Sequence, residues 1–123
     1  MKSYKTLHVY RYAVDFNVQV INLIQQQREL PFSHRDQLSR ASLSIALNIA
    51  EGMGRNTPKD QSHFLTISRG STYECMALIE ILTHAQMISS TQSERWTAQL
   101  ESISKILYTL IQKRQPLPPS IPK

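Results

Sequence analysis

The stretch from Thr57 to Met87, TPKDQSHFLTISRGSTYECMALIEILTHAQM, decides the fold. It opens with the clearest helix start in the chain. Thr57 can cap, Pro58 suits the first helical position where an amide hydrogen has no partner, and Asp60 can reach back to the cap. Phe64, Ile67, Ser71, Cys75, Leu78, Leu82 and Ala85 then recur at spacings of three and four, which puts them on one face of a helix. At 1.5 Å per residue the helix would run roughly 45 Å. Gly70 and Ser71 at its middle are small enough for another helix to come close. One amphipathic helix cannot bury its own face, so the neighbouring segments must supply the partners.

They carry the same period. On the amino-terminal side, Leu7 to Gln27 has two apolar rows, Tyr10, Val14, Val18, Ile21 and Ile24, and beside it Ala13, Phe16, Val20 and Leu23, which together make a wide face expected to be buried. Pro31 stops this helix, because the residue before a proline is pushed out of helical geometry. Ser33 is a suitable cap for a second helix, in which Leu38, Ala41, Ile45, Ile49 and Met53 share a face. Gly54 is placed to end it in the left-handed region, and Gly52 suggests fraying or a close backbone contact. On the carboxy-terminal side, Thr91 and Glu94 make a capping box. Trp96, Leu100, Ile103, Leu107, Leu110 and Ile111 carry the fourth apolar face, with Lys113 and Arg114 near the negative end of the helix dipole. Short connections make sequential helices antiparallel neighbours, so the expected fold is all-α: an up-down-up-down four-helix bundle over residues 1–115. Three helices with a broken long hairpin are the alternative. The tail, 116–123, holds four prolines and is expected to be extended or disordered. Its Pro116 to Pro119 run matches a proline-rich ligand pattern but equally suits a solvated terminus.

At 123 residues the chain makes one domain; either half alone would be too small to bury an adequate core. Three glycines are too few for a sheet protein's turns. Met1 to Thr6 lacks the apolar core of a secretory signal, and no run approaches the roughly 20 apolar residues of a membrane helix. A lone Cys75 fits a reducing compartment, and the expected location is the bacterial cytoplasm.

Catalytic constellations are not evident. His8, His34, His63 and His84 lie in separate segments. Glu80 and His84 share a helix face, but the paired Glu-x-x-His motifs of a di-metal bundle are missing. The sequence has no nucleophile elbow and no glycine-rich phosphate loop. Cys75 falls on the apolar stripe and reads as inert core. We expect a binding protein, not an enzyme, and no cofactor. Arg40, Asn48, Glu51, Arg69 and Glu74 are polar groups within packing-rich helices. They suit either a hydrogen-bonded network fixing the register of helices two and three or a ligand or RNA site.

Gln37 to Leu82 carries a resemblance to a known family. The segment Asn48 to Arg55, NIAEGMGR, and the segment Arg69 to Glu74, RGSTYE, are specific together. They resemble the four-helix proteins encoded in intervening sequences of bacterial 23S ribosomal RNA genes, which are similar in turn to the accessory variability determinant of diversity-generating retroelements. The resemblance extends to the opening helix and to Pro31-Phe32. It implies a non-enzymatic bundle assembled as a ring, typically of five subunits. It also implies association with nucleic acid, and for the retroelement relatives binding to a reverse transcriptase. Two positions depart from the pattern: Leu47 stands where many relatives carry proline, and Tyr73-Glu74-Cys75 replaces a more acidic segment.

Charge distribution adds a location. Lys2, Lys5 and Arg11 lie near the start without an acid, and Lys105, Lys113, Arg114 and Lys123 near the end, again without an acid. Those seven cations exceed the whole net charge of +5, so residues 12–104 sum to −2. In an up-down-up-down bundle both ends meet at one pole, joined there by Arg55 and Lys59 from the connection between helices two and three. Lys2, Lys5, Arg11, Arg55, Lys59, Lys113 and Arg114 are therefore the expected contacts to RNA or DNA phosphates, without sequence readout. The competing expectations are a scaffold for a reverse transcriptase or other nucleic-acid enzyme, docked through apolar patches, and charged ends that serve only solubility.

Overall fold

The computed structural model of the chain describes residues 4–116. A one-turn 3-10 helix, η1 (Tyr4–Thr6), precedes four α-helices: α1 (His8–Gln26), α2 (Phe32–Met53), α3 (Pro58–His84) and α4 (Ser90–Gln112). Each helix packs on its sequence neighbours, and α1 closes the bundle against α4. The described residues hold no strand. The four-helix reading therefore holds, and the three-helix alternative does not. The tail from Leu117 onward and Lys2 lie outside the described residues.

Helix starts follow local chemistry, with two corrections. Thr57 caps α3 as expected, its side chain accepting from the Asp60 amide at 3.1 Å. The α2 cap is Pro31 rather than Ser33, because Leu30 is buried and fixes the chain as it enters the helix. The α4 cap is Ser89, accepting from the Gln92 amide at 3.1 Å, rather than Thr91. Ser89 to Gln92 is itself a Ser-x-x-Gln box, and the buried Ile88 before it anchors the earlier start.

Helix ends differ more. Gly54 is not left-handed; its φ of −86° and ψ of −5° continue the right-handed path, and its amide donates to Ala50 and Glu51. The left-handed residue is Gln86, at φ 62°, after α3. There the Met87 amide donates to the Leu82 carbonyl and the Gln86 amide to that of Thr83, each at 2.9 Å, the two bonds of a Schellman ending. Gly52 is a close approach: a Cβ there would stand 3.1 Å from the Gln61 carbonyl oxygen and 3.2 Å from Phe64 Cβ. Gly70, by contrast, has open space around it.

The core takes one residue row from each helix. Val9, Ala13, Phe16 and Val20 of α1 meet Leu38, Ile45 and Ile49 of α2, Leu65, Cys75, Ile79 and Leu82 of α3, and Trp96, Leu100, Ile103 and Leu107 of α4. Phe16 and Trp96 pack edge to face at 5.3 Å, and the indole Nε1 donates to Gln19 Oε1 at 2.9 Å. On α3 the buried row runs through Ser68 and Thr72 instead of Phe64 and Ile67. Both hydroxyls are satisfied, Ser68 donating to the Ile45 carbonyl at 2.8 Å and Thr72 to that of Ser68 at 2.9 Å. Among the described residues no buried side-chain polar atom lacks a partner.

One of the two apolar rows on α1 forms this core, and the other touches it only at its ends, through Tyr10 and Ile24. Val14, Val18 and Ile21 of the other row stay exposed. The Asn17 amide group donates to the Ser42 hydroxyl at 2.8 Å, so this row borders α2, whose outer ridge exposes Leu43 and Leu47. On the far side of α2, Ile67 and Ile81 of α3 are exposed as well. The result is a broad apolar face centred on α2.

Candidate nucleic-acid interface

Three elements converge at the pole where α2 ends, α3 begins and α4 ends. Arg114, in the turn after α4, donates through Nε to Gln61 Oε1 and through Nη1 to the Leu110 carbonyl, both at 2.9 Å. Its Nη2 also reaches Met53 Sδ at 3.8 Å. Gln61 in turn donates to the Arg55 carbonyl at 2.9 Å. This chain of bonds ties the last turn of α4 to the α2–α3 connection. An open depression of about 670 Å³ lies beside it, lined by Pro58, Lys59, Ser62, Lys113, Arg114 and Gln115 among others.

The cations there are not equivalent. Arg55 pairs with Glu51 at 2.6 Å and lies over the Phe64 ring at 4.5 Å from its centroid. Arg114 is half-buried and spends its donors on the protein. Lys59 and Lys113 are exposed. Lys5 in η1 and Arg11 in the first turn of α1 are exposed too, and the topology sets α1 to begin where α2 ends. Against these six cations the pole carries the acids Glu51 and Asp60. Toward the opposite pole the cations Arg28, Arg35, Arg40 and Arg95 face the acids Glu29, Asp36 and Glu94, a nearly balanced set. The asymmetry in charge between the poles is thus a property of the fold.

The five polar residues of the helix interiors do not gather into one network. Arg40 pairs with Asp36 at 3.0 Å on the surface. Glu51 belongs to the pole through Arg55. Asn48 donates to the Ser44 hydroxyl and carbonyl, each at 2.9 Å, and Ser44 meets the Ser71 hydroxyl at 2.8 Å, which bridges α2 to α3. Glu74 accepts from Gln37 across the same two helices. Arg69 faces the other way, toward α4. Its Nε donates to the Ser104 carbonyl at 3.3 Å and its Nη2 to the Tyr73 hydroxyl at 3.0 Å. The guanidinium stands 5.1 Å from the ring centroids of both Tyr73 and Tyr108.

Sequence reasoning missed this Tyr73–Arg69–Tyr108 stack, because it joins two helices across 39 residues of chain and no local pattern announces it. It missed the apolar face around α2 as well, although a signal existed: α1 has two apolar rows where one bundle core needs one. Cys75 is fully enclosed, and burial, aided by the negative charge of Glu74, pushes its thiol up to about 12. Among the described residues no three His, Cys, Asp or Glu side chains cluster as metal ligands, and no helix is long and apolar enough to cross a membrane.

The fold has a solved counterpart. A protein of unknown function from the S23 ribosomal protein family of Bacteroides thetaiotaomicron superposes with a TM-score of 0.79 at 23% sequence identity, over 85% of this chain and 98% of that one. No curated protein matches the chain. The family model described as 23S rRNA-intervening sequence protein matches residues 5–109, from η1 nearly to the end of α4, and the chain belongs to that family.

Proposed function

We propose that the protein is a non-enzymatic, homo-oligomeric accessory protein that binds nucleic acid through its basic pole. The observation that carries this reading is the gathering of Lys5, Arg11, Lys59 and Lys113, all exposed, at one end of a bundle whose other end holds nearly as many acids as bases. Such a pole draws a polyanion by counterion release and positions it without reading bases. Self-association is supported by the apolar face around α2, where Val14, Val18, Ile21, Leu43, Leu47, Ile67 and Ile81 remain exposed in a single chain. Exposed apolar side chains gathered on one flank of a bundle suit an interaction surface. In a ring of parallel subunits, five by family resemblance, the poles add into one face.

The test is fluorescence-anisotropy binding to a structured RNA and a matched DNA duplex over a salt series, with a Lys59→Glu, Lys113→Glu variant alongside. These two lysines make no contacts that hold the fold, so the variant should stay folded. The expected result is salt-sensitive binding that the variant loses. Absence of binding at low salt by the folded protein would sink direct contact with nucleic acid. The apolar face would then favour the second reading, a scaffold for a reverse transcriptase or another nucleic-acid enzyme.

A further inference from the structure

We infer that the adjoining exposed edges of α3 and α4, from the basic pole to the Tyr73–Arg69–Tyr108 stack, form a track for single-stranded nucleic acid whose bases stack on the two tyrosines. The inference rests on the nucleic-acid reading above and adds the class of ligand.

Lys59, Ser62, Thr66, Arg69 and Tyr73 follow at spacings of three and four, so they form one edge of α3 over roughly 21 Å. Lys105, Tyr108 and Gln112 form an edge of α4 in the same way. The bond from Arg69 to the Ser104 carbonyl sets these edges side by side. Lys59 and Lys113 stand at the pole where these edges begin, and Lys105 is exposed along the α4 edge. Around and beyond Tyr73 the sign reverses, with Glu101 on α4 and Glu80 on α3. The cationic part of the track therefore starts at the pole and stops at the stack.

Tyr73 and Tyr108 are each 50% exposed. The Arg69 guanidinium lies near both rings and donates to the Tyr73 hydroxyl, which holds the two aromatic groups in place while leaving much of each in solvent. Aromatic groups interleaved with cations along one track fit a strand with splayed bases, because every unstacked base offers a π-face. A duplex hides those faces within its own stack. Tyr73 and Tyr108 would touch the bases, with Arg69 as their positioning residue.

The experiment measures anisotropy at one ionic strength for the full chain with four probes: an unstructured oligouridylate, the deoxy strand of the same sequence, an abasic strand of equal length and charge, and an RNA duplex. Wild type is compared with Tyr73→Ala, Tyr108→Ala and Tyr108→Trp, each checked for native helicity. We expect the base-bearing strands to bind more tightly than the abasic strand or the duplex. Each alanine variant should lose at least about fivefold on the base-bearing strands and little on the abasic one, with Tyr108→Trp retaining affinity. A preference between the ribo- and deoxyribo-strands identifies which is the natural source. Equal binding of abasic and base-bearing strands, or unchanged affinity in a folded Tyr108→Ala variant, overturns the track. In that event salt-sensitive binding of all four probes would leave the pole reading standing. Failure of every probe at low salt would remove both.

Discussion

Gln86 holds a backbone conformation that side chains resist. At φ 62° its Cβ crowds the following carbonyl, which costs a non-glycine residue about 1 kcal/mol, and the Schellman bonds from Gln86 and Met87 keep it there. Gln86→Gly should therefore raise stability by up to about 1 kcal/mol, read as a higher urea midpoint at unchanged slope. The two helical glycines should respond oppositely to alanine. Gly70→Ala meets open space and should gain about 0.5–1 kcal/mol of helix propensity, read as a higher urea midpoint. Gly52→Ala drives a methyl against the Gln61 carbonyl and Phe64 Cβ, both held by α3, and should lower the midpoint despite the same gain. Cys75 gives a pH-dependent outcome. Its unfolded thiol ionises near the ordinary 9.0 and its folded thiol only at about 12, so between those values the unfolded state alone releases the proton. Stability should thus fall as pH rises from about 9 to 12, more steeply in wild type than in Cys75→Ala, whose curve subtracts the other titrations. At neutral pH a thiol reagent should label Cys75 only under unfolding conditions.

Among the elements, the helices were legible wherever an apolar period and a cap agreed. Thr57-Pro58 placed the start of α3, and Leu38, Ile45 and Ile49 gave the buried face of α2. The same period misled on α3, because part of its core row is Ser68 and Thr72, hydroxyls that satisfy themselves on nearby carbonyls and look polar in a sequence. It overreached on α1, where Val14, Val18 and Ile21 fit the period yet point out of the bundle. The end of α3 was hidden since glutamine is not the usual left-handed residue. At the candidate site, topology alone brought Lys59 and Lys113 to one pole. What the sequence could not separate was a cation that displays its charge from one that holds the pole together. Arg114 ties α4 to Gln61 and Met53, so Arg114→Ala should cost about 1–3 kcal/mol and fray the last turn of α4. Lys113→Ala, one residue away and exposed, should stay within about 0.5 kcal/mol of wild type. Paired urea titrations with helicity measurements distinguish the two, and an equal loss would mean that Lys113 also serves the fold.

For the whole molecule, the apolar face and the basic pole are perpendicular features of one bundle, the first along the flank of α2 and the second across its end. That geometry lets copies associate side by side without covering their poles, and summing the poles strengthens the field a polyanion meets. Association and nucleic-acid binding should consequently be coupled through charge, although no residue belongs to both surfaces. Leu47, 56% exposed at the centre of the face, is the position to break. Leu47→Lys removes no core contact and adds a positive charge, so on electrostatics alone a monomer-independent binder would gain affinity. If the poles act together, the same variant should sediment as a smaller species with unchanged helicity and bind nucleic acid more weakly than wild type, despite its extra cation. Sedimentation velocity and a salt-dependent binding curve on the same samples decide it. A wild-type protein that sediments as a monomer would remove the assembly, and a dissociated Leu47→Lys variant with undiminished affinity would show that each pole binds alone.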